Sequence, residues 1–184
     1  MQSVPGFSRR EIGPLLALGG AAVLSSATTT ATALASPAAR ARPARPPMED
    51  RFGIIDLFAE YCWCYDCHDA AGYASLFTED GTLETLIKSA HGRADIAAFI
   101  PTLWMQHGDD IWQHHADQLI FFGAGSAYTV YSYWSVLKGK EPNYNVMGFG
   151  YYVSHCVKQD GHWLLQKRSI HRWDLDRLPW AASR

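Results

Sequence analysis

Tyr61-Cys62-Trp63-Cys64-Tyr65-Asp66-Cys67-His68-Asp69, followed closely by Leu76-Phe77-Thr78-Glu79-Asp80-Gly81, is where one hydrophobic rhythm gives way to another. Upstream, Ile54, Ile55, Leu57, Phe58, Tyr61, Cys62 and Tyr65 recur at three- and four-residue steps, which predicts a helix over Met48–His68. Ala70–Leu76 reads as a second short helix ending at an Asp80-Gly81 turn, and Thr82–Ile87 alternates as a strand. After a His91-Gly92-Arg93 turn, Ala94–Met105 makes a third helix with Ile96, Phe99, Ile100 and Leu103 toward the core. From there the period drops to two. Ile111–Phe122, Ser126–Lys138, Val146–Gln159 and His162–Arg172 are β-rich and separated by Gly123-Ala124-Gly125, Gly139–Asn143 and Asp160-Gly161. Helices first and then four long antiparallel strands predict an α+β layer, with the helices on one face of a curved sheet.

The N-terminal end has a different composition. Ser8-Arg9-Arg10 precedes an apolar stretch from Ile12 to Leu24 and a Ser/Thr/Ala run ending in Ala33-Leu34-Ala35, a small-x-small cleavage pattern. Residues 1–35 are therefore expected to be an export signal, with the paired arginines pointing to the twin-arginine route and an ordinary secretory signal as the alternative. The apolar run is shorter than the ~20 residues of a membrane span. Residues 36–50, rich in Ala, Pro and Arg, are expected to be a disordered or extended linker, leaving one domain over residues 51–180.

Charge narrows the partners. Without the leader's Arg9, Arg10 and Glu11, the chain carries 14 basic against 17 acidic residues, with no basic cluster in the folded part. That balance argues against nucleic acid and leaves a small molecule as the expected partner. Most Trp and Tyr lie in the second half, which suits a cavity lined by rings with polar tips. Cys62-x-Cys64-x2-Cys67 lacks the paired spacing of a structural zinc site and the scattered histidines form no H-x3-H pair, so no metal is expected; acid/base chemistry on a small organic molecule would need no cofactor, and none is expected. Free buried thiols are expected; after export, Cys64–Cys67 or Cys62–Cys156 are the possible disulfides.

In order and spacing, Tyr61-x4-Asp66-x2-Asp69, Leu76–Gly81, Gly92-Arg93, His114-His115, Ala127, Gly150-x-Tyr152 and Asp160-Gly161-x-Trp163 through Arg168 resemble the SnoaL-like branch of the nuclear transport factor 2 (NTF2) superfamily. The resemblance spans about Arg51–Trp173 and implies an NTF2-like cone enclosing a deep pocket, with a homodimer or homotrimer as the expected assembly. Within it, Tyr65-Asp66, Gln113-His114 and Arg172-Trp173-x3-Arg177 are most similar to the scytalone dehydratases, cofactor-free lyases. That similarity implies Asp66 and His114 as an acid/base pair assisted by Tyr65, and a C-terminal tail (Leu175, Leu178, Pro179, Trp180) closing the pocket. Glu84 or a neighbour stands where the dehydratases carry a second water-holding Tyr, and Tyr152 or Ser154 where they carry Asn.

The chemistry fits those residue types. Dehydrating a β-hydroxy carbonyl compound needs a base for the α-proton, an acid for the leaving hydroxyl and a donor to the carbonyl oxygen. Histidine does the first two near neutral pH, an ionised Asp on its other nitrogen fixes the tautomer, and a Tyr hydroxyl polarises the carbonyl. Adjacent strand residues face opposite sides, so only one of His114 and His115 enters the pocket, and the alignment with the family favours His114. Asp66 at a helix end has a solvated carboxylate as its alternative reading, and Asp69 reads as a capping residue. Glu84, Trp134, Tyr152 and Trp173, with His115 as the alternative to His114, complete the expected substrate-binding set, while Arg168 is expected to be scaffold paired with Asp66 or Glu60. An isomerase or cyclase on the same pocket, and a non-catalytic ligand-binding module, remain the alternatives to a lyase.

If the twin-arginine route is used, replacing both Arg9 and Arg10 by Lys should leave precursor inside the cell. Immunoblots of cell and medium fractions check this, and normal secretion of the variant would point to the general route.

Overall fold

A computed structural model describes residues 42–174 and Leu178. The expected signal, residues 36–41 of the expected linker, and Leu175, Arg177, Pro179 and Trp180 of the expected closing tail lie outside the described residues. The order is α1 (Met48–Asp66), α2 (Ala70–Ser75), β1 (Phe77–Glu84), β2 (Ser89–His91), α3 (Gly92–Trp104), β3 (Ile111–Ala124), β4 (Ala127–Lys140), β5 (Asn143–Gln159) and β6 (His162–Arg172). These strands form one sheet in the order β2-β1-β6-β5-β4-β3. Every pairing is antiparallel except β1 with β6.

The helices cover one face because their apolar residues fall on single stripes. In α1, Ile54, Leu57, Phe58, Tyr61 and Cys62 are buried, at three- and four-residue spacing, and α1 packs against β3 and β6. In α3, Ile96, Phe99 and Ile100 do the same against β1 and β2. The sheet answers with period two: Tyr128, Val130, Ser132, Trp134 and Val136 of β4 are buried under the helices, while Tyr131 and Tyr133 face the other way.

Several expected boundaries shift. The fold starts before Arg51: Met48–Asp50 form the first turn of α1, and the Ala44 N–H donates to the Phe121 carbonyl at 2.6 Å, so this part of the expected linker belongs to the domain. Asp80-Gly81 is not a turn but lies inside β1. There the pairing with β6 shifts register between Phe77 and Thr82, and the bare Gly81 Cα lies against Phe77 and the Thr78 carbonyl. The expected turn at His91-Gly92 is instead the junction of β2 and α3, made by Gly92 at φ +76°. Asp69 caps α2, accepting from the Gly72 N–H at 2.8 Å. All four cysteines are free; Cys62 and Cys156 are buried, Cys64 is half-buried and Cys67 is exposed.

One close packing ties three strands together near the site. Trp134 on β4 sends its indole N–H across β5 to the His171 carbonyl on β6, at 2.9 Å. The indole passes over Gly150, its directly opposed residue, where an added Cβ would meet both the ring and the His171 carbonyl. Gly150→Ala should therefore cost about 1–3 kcal/mol, the usual range for overpacking. Urea denaturation followed by tryptophan fluorescence checks it, and an unchanged midpoint would show that the indole can move aside.

Candidate active site

Asp66 is the last residue of α1 and His114 sits near the start of β3, 48 residues later in sequence. The fold brings them together in a two-point clasp. Asp66 Oδ2 accepts from the His114 backbone N–H at 2.8 Å, and Asp66 Oδ1 accepts from the ring Nδ1 at 2.6 Å. Both side chains are about 15% exposed (14% and 15%), so little water competes for either bond. With Nδ1 donating to the carboxylate, the tautomer is set and Nε2 is left with a free lone pair. The Tyr65 ring packs edge-on to the His114 ring, 4.6 Å between centroids.

Beyond this clasp opens a cavity of about 450 Å³ between α1, α3 and the sheet. Its wall is largely aromatic. Tyr61, Tyr65, Tyr73, Trp112, Trp134 and Tyr152 line it, and Thr85, Leu86 and Ile87 contribute from the loop after β1. Lys138 is the one Lys or Arg in the lining among the described residues, and no carboxylate lines it. Such a space takes a small, flat, mostly apolar molecule with a few polar handles.

The expected site residues divide. Asp66, His114, Tyr65, Trp134 and Tyr152 are brought together at or beside the cavity. His115, Glu84 and Trp173 are not. His114 pairs opposite Val136 and His115 opposite Ser135, so alternation turns His115 to the other face of the sheet. Glu84 also faces away, because Leu83 takes the inner position. Its carboxylate accepts from Ser169 Oγ at 2.6 Å and pairs with Lys167 Nζ at 2.7 Å, and these bonds, Lys167 first, hold its pKa below the usual carboxylate range. Trp173 packs edge-on against Tyr133, 5.2 Å away on the outer face. Arg168 is scaffold as expected but does not pair with Asp66 or Glu60. It is fully buried, its guanidinium 3.8 to 4.3 Å from the ring centroids of Tyr152, Tyr61 and Phe58.

Two further residues enter the site. Trp112 shares the inner face of β3 with His114, which the two-residue period implies. His107 comes from the loop after α3, where no periodicity announces it. It stacks flat on Trp112 (3.6 Å, 9°), and its Nε2 lies 3.2 Å from the Tyr65 hydroxyl. Burial first, and then the nearby charge of His114, push its pKa down to about 4, so it is neutral at physiological pH. Tyr65 is held protonated, because burial raises its pKa well above the ordinary phenol value. Among the described residues, no three His, Cys, Asp or Glu side chains converge to hold a metal ion.

The His107 shift has a consequence for stability. Its folded pKa of about 4 lies below the ordinary 6.5, so between those values the unfolded chain binds a proton that the folded one refuses. Its contribution is intact above about pH 6.5 and is lost as pH falls toward 4. In His107→Gln the acid-side loss of stability should be shallower than in the parent. Urea midpoints at several pH values across that window check it, and parallel profiles would refute the assignment.

The SnoaL-like domain family matches residues 46–169. Nothing among curated proteins matches. Among solved structures, the chain is similar to Rv3472 from Mycobacterium tuberculosis, a protein of unknown function, at 26% identity and TM-score 0.61 over 66% of this chain and 70% of that one. It is similar to ActVI-ORFA from Streptomyces coelicolor at 25% identity and TM-score 0.59, over 65% and 94% of the two chains. An NTF2-like protein with a cystatin-like fold from Novosphingobium aromaticivorans shares the fold at 24% identity and TM-score 0.58, over 66% and 80%. With its helices laid on a curved, mostly antiparallel sheet around an aromatic cavity, the chain belongs to the SnoaL-like domain family and has the NTF2-like, cystatin-like fold.

Proposed function

We propose that this protein is a cofactor-independent lyase that dehydrates a small cyclic or polyketide-like hydroxy-carbonyl compound outside the cytoplasm. The observation that carries this reading is the Asp66–His114 clasp at the edge of an aromatic cavity. A pocket that only holds a ligand has no use for an imidazole whose tautomer is fixed by a carboxylate. The extracytoplasmic location rests on the leader-like residues 1–35 alone.

In this mechanism His114 Nε2 takes the proton alpha to the substrate carbonyl, and the C–H electron pair becomes the enolate. Asp66 stabilises the imidazolium so formed and acts only through His114. The enolate then collapses, forming the C=C bond and breaking the C–O bond at the β carbon. His114 returns its proton to the departing hydroxyl, which leaves as water. Tyr65 donates a hydrogen bond within the cavity, with His107 as a neutral partner for its hydroxyl. Proton return to carbon instead of oxygen would give an isomerase from the same first step, and product analysis separates the two.

Screening hydroxy-ketones with the purified protein, followed by substitution, tests the reading. Asp66→Asn should lower turnover about 10²- to 10⁴-fold, the span for disabling a general acid/base system. His114→Ala should cost at least as much, and the double variant little more than the worse single one. Near-full activity in both single variants would make the clasp structural and end the proposal.

A further inference from the structure

Arg168 is the most unusual side chain in the molecule: 0% exposed, on β6, with none of its three guanidinium nitrogens meeting a hydrogen-bond partner at standard geometry among the described residues. A buried cation without a counter-ion is costly unless something around it carries compensating negative potential. The faces of Phe58, Tyr61 and Tyr152 do part of this, with the guanidinium 3.8 Å from the Tyr152 centroid and 3.9 Å from that of Tyr61. Those two tyrosines also line the cavity. The positive charge therefore stands directly behind the cavity wall, and among the described residues no carboxylate lines that cavity to neutralise it.

We propose that the Tyr61–Tyr152 wall, backed by the Arg168 guanidinium, is an oxyanion-binding site that takes the enolate or phenolate oxygen of the ligand. The inference rests on the enolising chemistry above insofar as it assigns where the developing charge lies: on the Arg168 side of the cavity, with proton transfer at His114. Burial keeps both phenols protonated, as hydrogen-bond donors, while the Arg168 charge acts in the opposite sense and makes them stronger donors. The neighbouring Tyr73 hydroxyl acts on Tyr61 in the same sense as Arg168, lowering its pKa against the effect of burial. The rings of Tyr61 and Tyr152 meet edge-on at 5.9 Å, so two donors and one buried charge are fixed before any ligand arrives.

The test needs no knowledge of the natural substrate. 4-Nitrophenol and 7-hydroxycoumarin absorb differently as phenol and phenolate, so titrating each into the mature protein across pH gives the affinity for each form. The site should hold the phenolate about tenfold or more tighter than the phenol, equivalent to lowering the bound ligand's pKa by at least about one unit. Tyr61→Phe and Tyr152→Phe should each reduce that preference roughly tenfold, the loss expected for one hydrogen bond to a charged group. Arg168→Lys should retain part of it and Arg168→Met none, with circular dichroism reporting whether each variant is folded. If Arg168→Met does not fold, the two tyrosine variants decide the matter.

His114→Gln separates this site from the acid/base pair. The phenolate preference should survive that substitution even as turnover is lost. A preference that vanishes in His114→Gln but persists in Tyr61→Phe and Tyr152→Phe would place the anion at His114 and overturn the proposal. Equal affinity for the two forms, or no binding of either probe, would overturn it as well.

Discussion

The site hangs on one carboxylate. Asp66 ends the first helix and grips both the backbone and the ring of His114, so the same side chain joins the helical layer to the sheet and sets the proton on the imidazole. Each half supports the other. The backbone bond holds the start of β3 in place, and only with β3 in place does the ring bond have the geometry to fix a tautomer. Because both bonds are charge-assisted and shielded from water, they are stronger than a comparable pair at the surface.

Much of this arrangement was legible in the order of residues. Repeats of three and four located α1 and α3, and alternation located β3 to β6 with errors of a few residues at their ends. Parity along β3 allows only one of His114 and His115 to turn inward; the family resemblance singled out His114, and the same parity sets Trp112 beside it. Parity also accounts for two misplacements. Leu83 and Ile170 face inward, so Glu84 and Trp173 fall on the outer side. Glu84 is the less legible of the two, because β1 shifts register between Phe77 and Thr82 and so breaks its alternation. His107 had no local signal at all. It lies in an irregular loop, and only tertiary packing on Trp112 brings it to the Tyr65 hydroxyl.

The cavity combines two conflicting electrical demands. Its walls are rings, which favour an uncharged ligand, yet a buried guanidinium packed on those rings stands behind one side and a carboxylate-backed imidazole beside the other. The buried thiols of Cys62 and Cys156 show how apolar this region is. Burial pushes their pKa values up to about 11 and about 12 despite the opposing charge of Arg168. In so dry a medium a fixed charge acts over longer distances than it does in water, so residues that never touch a ligand still shape its electronics.

The short bridge from Ala44 to Phe121 bears on a different matter, the fate of the open sheet edge. β3 is the last strand of its sheet, and an unpaired strand offers a ready template to any other extended chain. Here the chain's own N-terminal segment occupies part of that template. Arg42, Arg45 and Arg51 surround a shallow groove there, with Arg51 lying over the Phe121 ring at 5.1 Å. A second copy approaching edge to edge would have to displace the bridge and bring its own cluster of arginines against this one. The residues before α1 thus cover part of that edge, and trimming the chain back to the helix would leave the Phe121 carbonyl and its stretch of β3 without this partner.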